Sequence, residues 1–552
     1  MSSASAASFA DASAPESASS VDGLTRSMLA MTLFNQAKGE YDALKASREA
    51  AADPDGVLLK AFHERWAVQC HDFAVNHGGV YIKAAQFIAS LQGGAGEAGV
   101  PREYVEALRP LTDRVPPRPF EAVAPVAEEE LGQPLGELLA SIDQTPIAAA
   151  SLAQVHKGRL LDPNAKTRSA KGGKDGGGGG DVVAMKLQYP SLREQVEADF
   201  MVLQTMQTMA APSGYDFSWL LADLQKYVTS ELDFTTEAKN AMAAAEALRS
   251  LAPSVLVPRV VGELSATRVM ATEFVEGLTR LDRPTELAAL GLDRLEIGAL
   301  AAAAFSELAL VNGLVHGDPH SGNVYTRPLP GGGGAPRRAG STTVPAQLVI
   351  LDHGLYHRLT DADRLGMCDL VLACATPWPS RARVRALAKR FAGGLAPLFP
   401  ALLSPAFAFS TGLSLKQLRA AAEGRLPAGT TLDDVWQTLV EMHAGESDVL
   451  GLLHSMGYVR GLHNACGLPE KTRVAALADA AVRAKHAAAA RGSGSLPLAR
   501  TLTRWRVEGL FLLLALLGGL VWLCDLLATL LLRLVALLTF GLVGGAKRVV
   551  PE

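Results

Sequence analysis

The sequence predicts an α+β fold of two lobes, with a helical extension before it and a membrane segment after it, and three observations carry that reading. First, a strand-like VAMK ends at Lys186, 31 residues beyond Val155. That valine closes AAASLAQV, which fits the frame G-x-G-x-x-G-x-V with Ala148, Ala150 and Ala153 in the three glycine places. Second, HGDPHSGN sets Asp318 and Asn323 five apart, as in H-R-D-x-x-x-x-N. Third, LDHG puts Asp352 where the metal-binding D-F-G aspartate belongs. Weak singly, these parts in this order and spacing predict a two-lobed protein-kinase-like fold with a nucleotide site under an altered lid.

Each residue type suits phosphoryl transfer. Such a site needs a cation on the nucleotide phosphates (Lys186), oxygen ligands for Mg²⁺ (Asn323 and Asp352) and a carboxylate that orients or deprotonates an acceptor (Asp318). The expected cofactors are therefore ATP or ADP with Mg²⁺. Ala148, Ala149, Ala150, Ser151 and Val155 would cover the nucleotide, and Glu273 and Val275, in the stretch Glu273–Gly277, would form the hinge that holds adenine. Glycine in a phosphate lid allows positive φ, which alanine resists, so the loop is expected to take a different conformation.

At 552 residues the chain has room for three or four structural units. The expected order is a disordered tail or weak transit peptide (1–57), a helical extension (58–142), a kinase-like N-lobe (143–276), a mostly helical C-lobe (277–500) and a hydrophobic membrane-embedded segment (501–552). The tail is Ser/Ala-rich like a transit peptide, but Asp11, Glu16 and Asp22 precede its first basic residue, Arg26. Charge is balanced, 52 Lys+Arg against 56 Asp+Glu, so no nucleic-acid partner is expected. Five scattered cysteines without a C-x-x-C argue against structural zinc and for thiols in a reducing compartment.

Two glycine-rich runs, Lys171–Asp181 and Pro328–Gly340, interrupt the core. Each falls between two strand-like segments, where a hairpin tolerates insertion. In the extension, HGGVYIKAAQFIASL has a helical apolar face, with Lys83 and Gln86 three apart on one side. ELDFTTEAKNAMAAAEAL reads as one helix, Glu231–Leu248, with Glu231, Asp233 and Glu237 near its positive end. One of these glutamates is expected to pair with Lys186. From Asp361 to about Ala490 the chain reads as alanine- and leucine-rich helix, without the A-P-E signature of a protein-substrate activation loop.

From Gly509 to Ala546 only Asp525 and Arg533 interrupt an apolar stretch. One helix of that length would measure about 57 Å, nearly twice the hydrocarbon core. Basic residues flank both ends, which favours two short segments or one span with an interfacial helix, a buried core helix being the other reading.

Together, IKAAQ, AAASLAQVHKG, VAMKLQYP, ELDFTTEA, HGDPHSGNV and LDHGLY resemble the UbiB-type, aarF-domain atypical kinases over roughly Ala74–Leu359. DHGLY is similar to the wording of the organellar subgroup. The resemblance implies an atypical kinase or ATPase associated with a mitochondrial or chloroplast membrane and tied to quinone or other lipid homeostasis. It places the family's K-x-G-Q motif on Lys83 and Gln86 and its E-x-D motif on Glu231 and Asp233, residues that close over the nucleotide and restrict the substrate cleft. It also makes Glu237 the partner of Lys186. Ala85 and Ser321 depart from the family's glycine and proline. A nucleotide-switched pseudokinase scaffold and a small-molecule phosphotransferase are the two other functions compatible with these residues.

Overall fold

A buried ion pair docks the first described helix. Arg26 Nη2 lies 2.6 Å from Asp199 Oδ2, both side chains nearly inaccessible, and Arg26 Nη1 donates to Gln195 at 3.0 Å. This helix, α1 (Gly23–Ala46), falls inside the segment expected to be a disordered tail or weak transit peptide. Its anchor is 173 residues away in sequence, so local composition does not announce it. The computed structural model describes residues 23–47, 56–90, 101–112, 117–161, 182–210, 218–331, 344–393, 396–411, 449–489 and 495–517. Most of both glycine-rich runs and residues 518–552 lie outside these.

Helices α2 (Val57–His77), α3 (Gly79–Ser90), α4 (Arg102–Leu108) and α5 (Phe120–Leu131) form most of the extension. Helix α3 has two apolar sides. Tyr81, Ile82 and Ala85 join Ala30, Ala74, Leu108 and Leu111 in one cluster, while Val80 and Ala84 join another.

The first sheet is antiparallel, in the order β1 (Leu139–Ile142), β3 (Ala153–Leu160), β4 (Val182–Gln188), β6 (Val269–Glu273), with the short β2 (Ala148–Ala149) on β3. Period-two alternation sends Val183, Met185 and Leu187 into a core with Val123 and Ala127 of α5, and so turns Lys186 to the opposite face. Val155 and Met270 flank Lys186 across the two neighbouring strands. The chain between β3 and β4, which holds the first glycine-rich run, joins two directly paired strands, so an insertion there disturbs no ladder bond.

On the lysine face the chain runs through α6 (Leu192–Ala210), α7 (Ser218–Glu231) and α8 (Phe234–Ala247). The single helix expected over Glu231–Leu248 is in fact two. Glu231 ends α7, and Asp233, extended at φ −118°, caps α8 by accepting from Thr235 N. A second sheet runs β5 (Val255–Leu256), β9 (Ala346–Ile350), β8 (Val324–Pro328), β7 (Thr279–Arg280). The hairpin β8–β9 brackets the second glycine-rich run and pairs Val324 with Ile350. All of these elements belong to one compact unit, residues up to 292 with 316–356.

The second unit is helical: α9 (Arg294–Ser306), α10 (Asp361–Cys374), α11 (Arg381–Ala392), α12 (Val449–Ala465), α13 (Glu470–Ala488) and α14 (496–517). Thr360 and Ser380 cap α10 and α11. Small residues of α13, Ala478, Ala480, Ala481 and Ala484, meet Met367, Leu370, Phe391 and Val507 in its core. Four cysteines are described, all as free thiols. The membrane segment expected over 501–552 is described only as far as 517. Among the described residues no helix is long and apolar enough to cross a membrane. Helix α14 is instead two-sided, with Thr503, Val507 and Leu510 buried and Leu498, Leu502, Trp505, Leu512 and Leu516 exposed.

Candidate active site

Strand β4 and helix α8 bring the first pair together. Lys186 Nζ donates to both carboxylate oxygens of Glu237 at 2.7 Å and lies 3.8 Å from Asp352 Oδ2. Beneath it the Phe234 ring sits 5.1 Å from the ammonium. Burial opposes the lysine charge, but Glu237 and Asp352 outweigh it and hold the ammonium above the usual lysine range. Burial pushes Glu237 up to about 6 against the pull of Lys186, with the Asp352 and Glu231 carboxylates adding to the rise. The pair is therefore ionised at neutral pH.

Asp352 follows β9. Its Oδ1 accepts from Gly354 N at 2.9 Å. Desolvation would raise this carboxyl, yet Lys186, the Gly354 N–H and Lys83 keep it far below the usual carboxylate range. Gly354 leaves little room for a side chain: a Cβ there would stand 3.3 Å from Asp352 Oδ1, so that carboxylate would have to give by a few tenths of an ångström. Asn323 precedes β8, and its carbonyl accepts from Leu351 N at 3.0 Å, which sets it beside Asp352 at the same end of the hairpin. Its side-chain amide donates to the Asp318 carbonyl at 3.0 Å, so Oδ1 is the atom left for a metal. Asp318 Oδ1 is buried without a hydrogen-bond donor among the described residues, and Oδ2 lies 3.6 Å from His320 Nε2.

Lys83 of α3 pairs with Glu231 at the end of α7. Burial works against its charge, but Glu231, with Asp318 and Asp352 behind it, drives Lys83 upward, which places this ammonium in the field of the same carboxylates. The other motif residues do different work. Gln86 donates to the Leu111 carbonyl at 2.9 Å and fastens α3 to the turn after α4, and Asp233 is the helix cap described above. Neither is brought into contact with the lysine–carboxylate cluster by any hydrogen bond among the described residues.

The alanine loop is built without left-handed residues; among the described residues the single non-glycine with positive φ is Ser191. Ala148 and Ala149 pair with Val155 and Gln154, and Ala150 N donates to Ala153 O at 2.8 Å. Ser151 is buried. Val155, opposite Lys186, lies on the lysine face of the sheet. At the expected hinge, Glu273 N and Phe274 N are spent on Arg259 and Val182, whereas Val275 N has no backbone acceptor among the described residues.

Three residues at the site escaped the sequence reading. His316 Nε2 donates to the Asp352 carbonyl at 2.8 Å while its Nδ1 accepts from Asp318 N at 3.2 Å, so the ring is neutral and burial lowers its pKa. His353 Nε2 donates to Ile350 O at 3.2 Å, its Nδ1 meets the Tyr356 hydroxyl at 3.0 Å, and burial depresses it to about 3. Asn240 Nδ2 donates to the His353 carbonyl at 3.1 Å. His316 stands in the histidine place of the H-R-D frame and Asn240 sits three residues after Glu237 on the same helix face, so these two left a usable signal.

The donor set fits a hard divalent cation. Both lysines are engaged by glutamates, so Asp352 and Asn323 Oδ1 offer oxygen ligands that phosphate and water oxygens would complete. Among the described residues there is no group of three or more His, Cys, Asp or Glu that could hold a metal by itself.

Residues 110–377, which contain Lys186, Asp318, Asn323 and Asp352, match the ABC1 atypical kinase-like domain. The chain is 30% identical to "AarF domain-containing protein kinase 1" of Gallus gallus over 77% of its own length and 76% of that protein. The Xenopus laevis protein of the same name is 30% identical over 76% of this chain and 74% of its own. The Mus musculus protein is 32% identical over 66% and 63% respectively. On the parts of the site in their proper order and on this similarity across most of its length, the chain belongs to the ABC1/AarF family of atypical kinases.

Proposed function

We propose that the chain binds a Mg²⁺-nucleotide and turns it over as an atypical kinase or ATPase. The observation that carries this reading is the formed Lys186–Glu237 pair with Asp352 3.8 Å from the same ammonium. Lys186 would hold the nucleotide phosphates, the alanine loop would cover them, and Glu273 and Val275 would meet the adenine. Asn323 and Asp352 would hold Mg²⁺, which neutralises phosphate charge when bound. Asp318, with one oxygen unsatisfied, orients the acceptor hydroxyl or water and takes its proton. Lys83, tethered to Glu231 beside these carboxylates, narrows access to Asp318 and so favours water or a small acceptor over a protein side chain. Nucleotide turnover by the purified full chain, with and without membranes, tests this. Nucleotide binding without release of phosphate or labelling of any acceptor would leave a nucleotide-switched scaffold.

The finer proposal is action at an organellar membrane in lipid or quinone homeostasis. Its support is the exposed stripe Leu498, Leu502, Trp505, Leu512 and Leu516 on α14. Trp378, 83% exposed, adjoins this stripe, because Pro377 packs against Gly509. The exposed Arg381, Arg385 and Lys389 follow on one ridge of α11. Flotation with anionic liposomes, lost on Trp378→Ala/Trp505→Ala, checks the surface, and imaging of the full chain checks the compartment.

A further inference from the structure

The tip of the alanine loop does not lie free over the site. Leu152 is buried, in one apolar cluster with Val80 of α3, Leu192, Val196 and Phe200 of α6, and Leu224, Val228 and Leu232 in and just beyond α7. The backbone on either side is held from the sheet. Tyr189, just past β4, donates its N–H to the Leu152 carbonyl at 3.0 Å and its hydroxyl to the Ala150 carbonyl at 3.2 Å. Arg118 in turn sits 4.5 Å over the Tyr189 ring. The helix that seats Leu152 through Val80 and Ala84 also carries Lys83, whose ammonium pairs with Glu231 at the end of α7. Lid tip and cleft lysine are therefore mounted on the same packed helices.

We propose that Leu152 is a positioning residue that clamps the phosphate lid to the helical extension, so that the lid and Lys83 open together and set the rate at which nucleotide leaves. The proposal rests on the nucleotide-binding reading above. Glycine-rich lids work by moving; here the apolar anchor removes that freedom, and release requires α3 and α7 to shift with the loop. Peptides spanning 148–153 are then protected from hydrogen exchange in the nucleotide-free protein, and Leu152 supplies the apolar grip on the loop tip.

The test uses the full chain with Leu152→Ala, the volume-conserving Leu152→Met, Tyr189→Phe, Lys83→Ala and the double Leu152→Ala/Lys83→Ala. Leu152→Ala should speed release of a fluorescent ADP analogue about tenfold, an effect the loss of one large apolar anchor can supply, and deprotect the loop amides. Leu152→Met should restore both, and the double variant should release no faster than the faster single one. Tyr189→Phe, which keeps the anchor and loses one hydrogen bond, should change release less than Leu152→Ala; if Leu152→Ala fails to fold, a tenfold or greater acceleration in Tyr189→Phe would place the grip in the backbone and overturn the proposal. Wild-type release rates in Leu152→Ala, or multiplying effects in the double variant, would overturn the clamp while leaving nucleotide binding intact. A wild-type chain that binds no nucleotide, yet keeps its loop amides protected, would overturn the nucleotide reading and the release function with it.

Discussion

Asn240 donates its side-chain amide to the backbone carbonyl of His353 at 3.1 Å, three residues beyond Glu237 on one element and one residue beyond Asp352 on the other. The helix that bears the glutamate partner of Lys186 is thereby tied to the segment that bears the metal-type aspartate. Asn240→Ala should lose roughly 1–3 kcal/mol, the cost of leaving a buried carbonyl unpaired. Thermal melting checks this, with a smaller Mg²⁺-nucleotide shift as the second expected result. Asn240→Asp should be worse at neutral pH, because a carboxylate cannot donate to that carbonyl.

Asp352→Asn should abolish the stabilisation that Mg²⁺-nucleotide confers. Ligand at about 100 times its dissociation constant is worth about 2.7 kcal/mol, readily read as a melting shift. A shift equal to that of the wild type would remove Asp352 from the site.

His353 fixes a pH dependence. Its folded pKa is depressed to about 3, below the value of roughly 6.5 in an unfolded chain. As pH falls below that upper value the unfolded chain takes up a proton that the folded chain refuses, so stability is lost on acidification, by about 2 kcal/mol at pH 5. Denaturant melts at pH 7.5 and pH 5 should differ by about that much less in His353→Phe than in wild type.

Arg26→Met should destabilise the chain by about 3–5 kcal/mol at pH 8, because a buried carboxylate is left without its partner. Burial already raises Asp199 to about 6 against the pull of Arg26, and removal of the guanidinium raises it further. The unfolded chain ionises at lower pH than the folded variant, so the loss should shrink as pH falls to 5. Chemical denaturation at the two pH values measures it, with exchange protection of 23–46 reporting on the docking of α1.

What the sequence determined by itself was the set of elements whose signals are local. VAMK alternates, so its lysine had to face away from the apolar core. HGDPHSGN and LDHG fix Asp318, Asn323 and Asp352 by spacing, and Glu237 lies within a helix whose capping aspartate is four residues upstream. Contacts between distant segments were decided by the tertiary structure. It split the helix at Leu232 and Asp233, turned Asp233 into a cap, sent Gln86 to the Leu111 carbonyl and docked α1 through a residue 173 positions away. It also made His316, His353 and Asn240 part of the site and buried Leu152 among the helices. The reason is physical: periodicity and spacing record which side of an element is apolar, whereas the partner of a buried polar group or a loop tip is fixed only when separate elements pack and each such group must be satisfied.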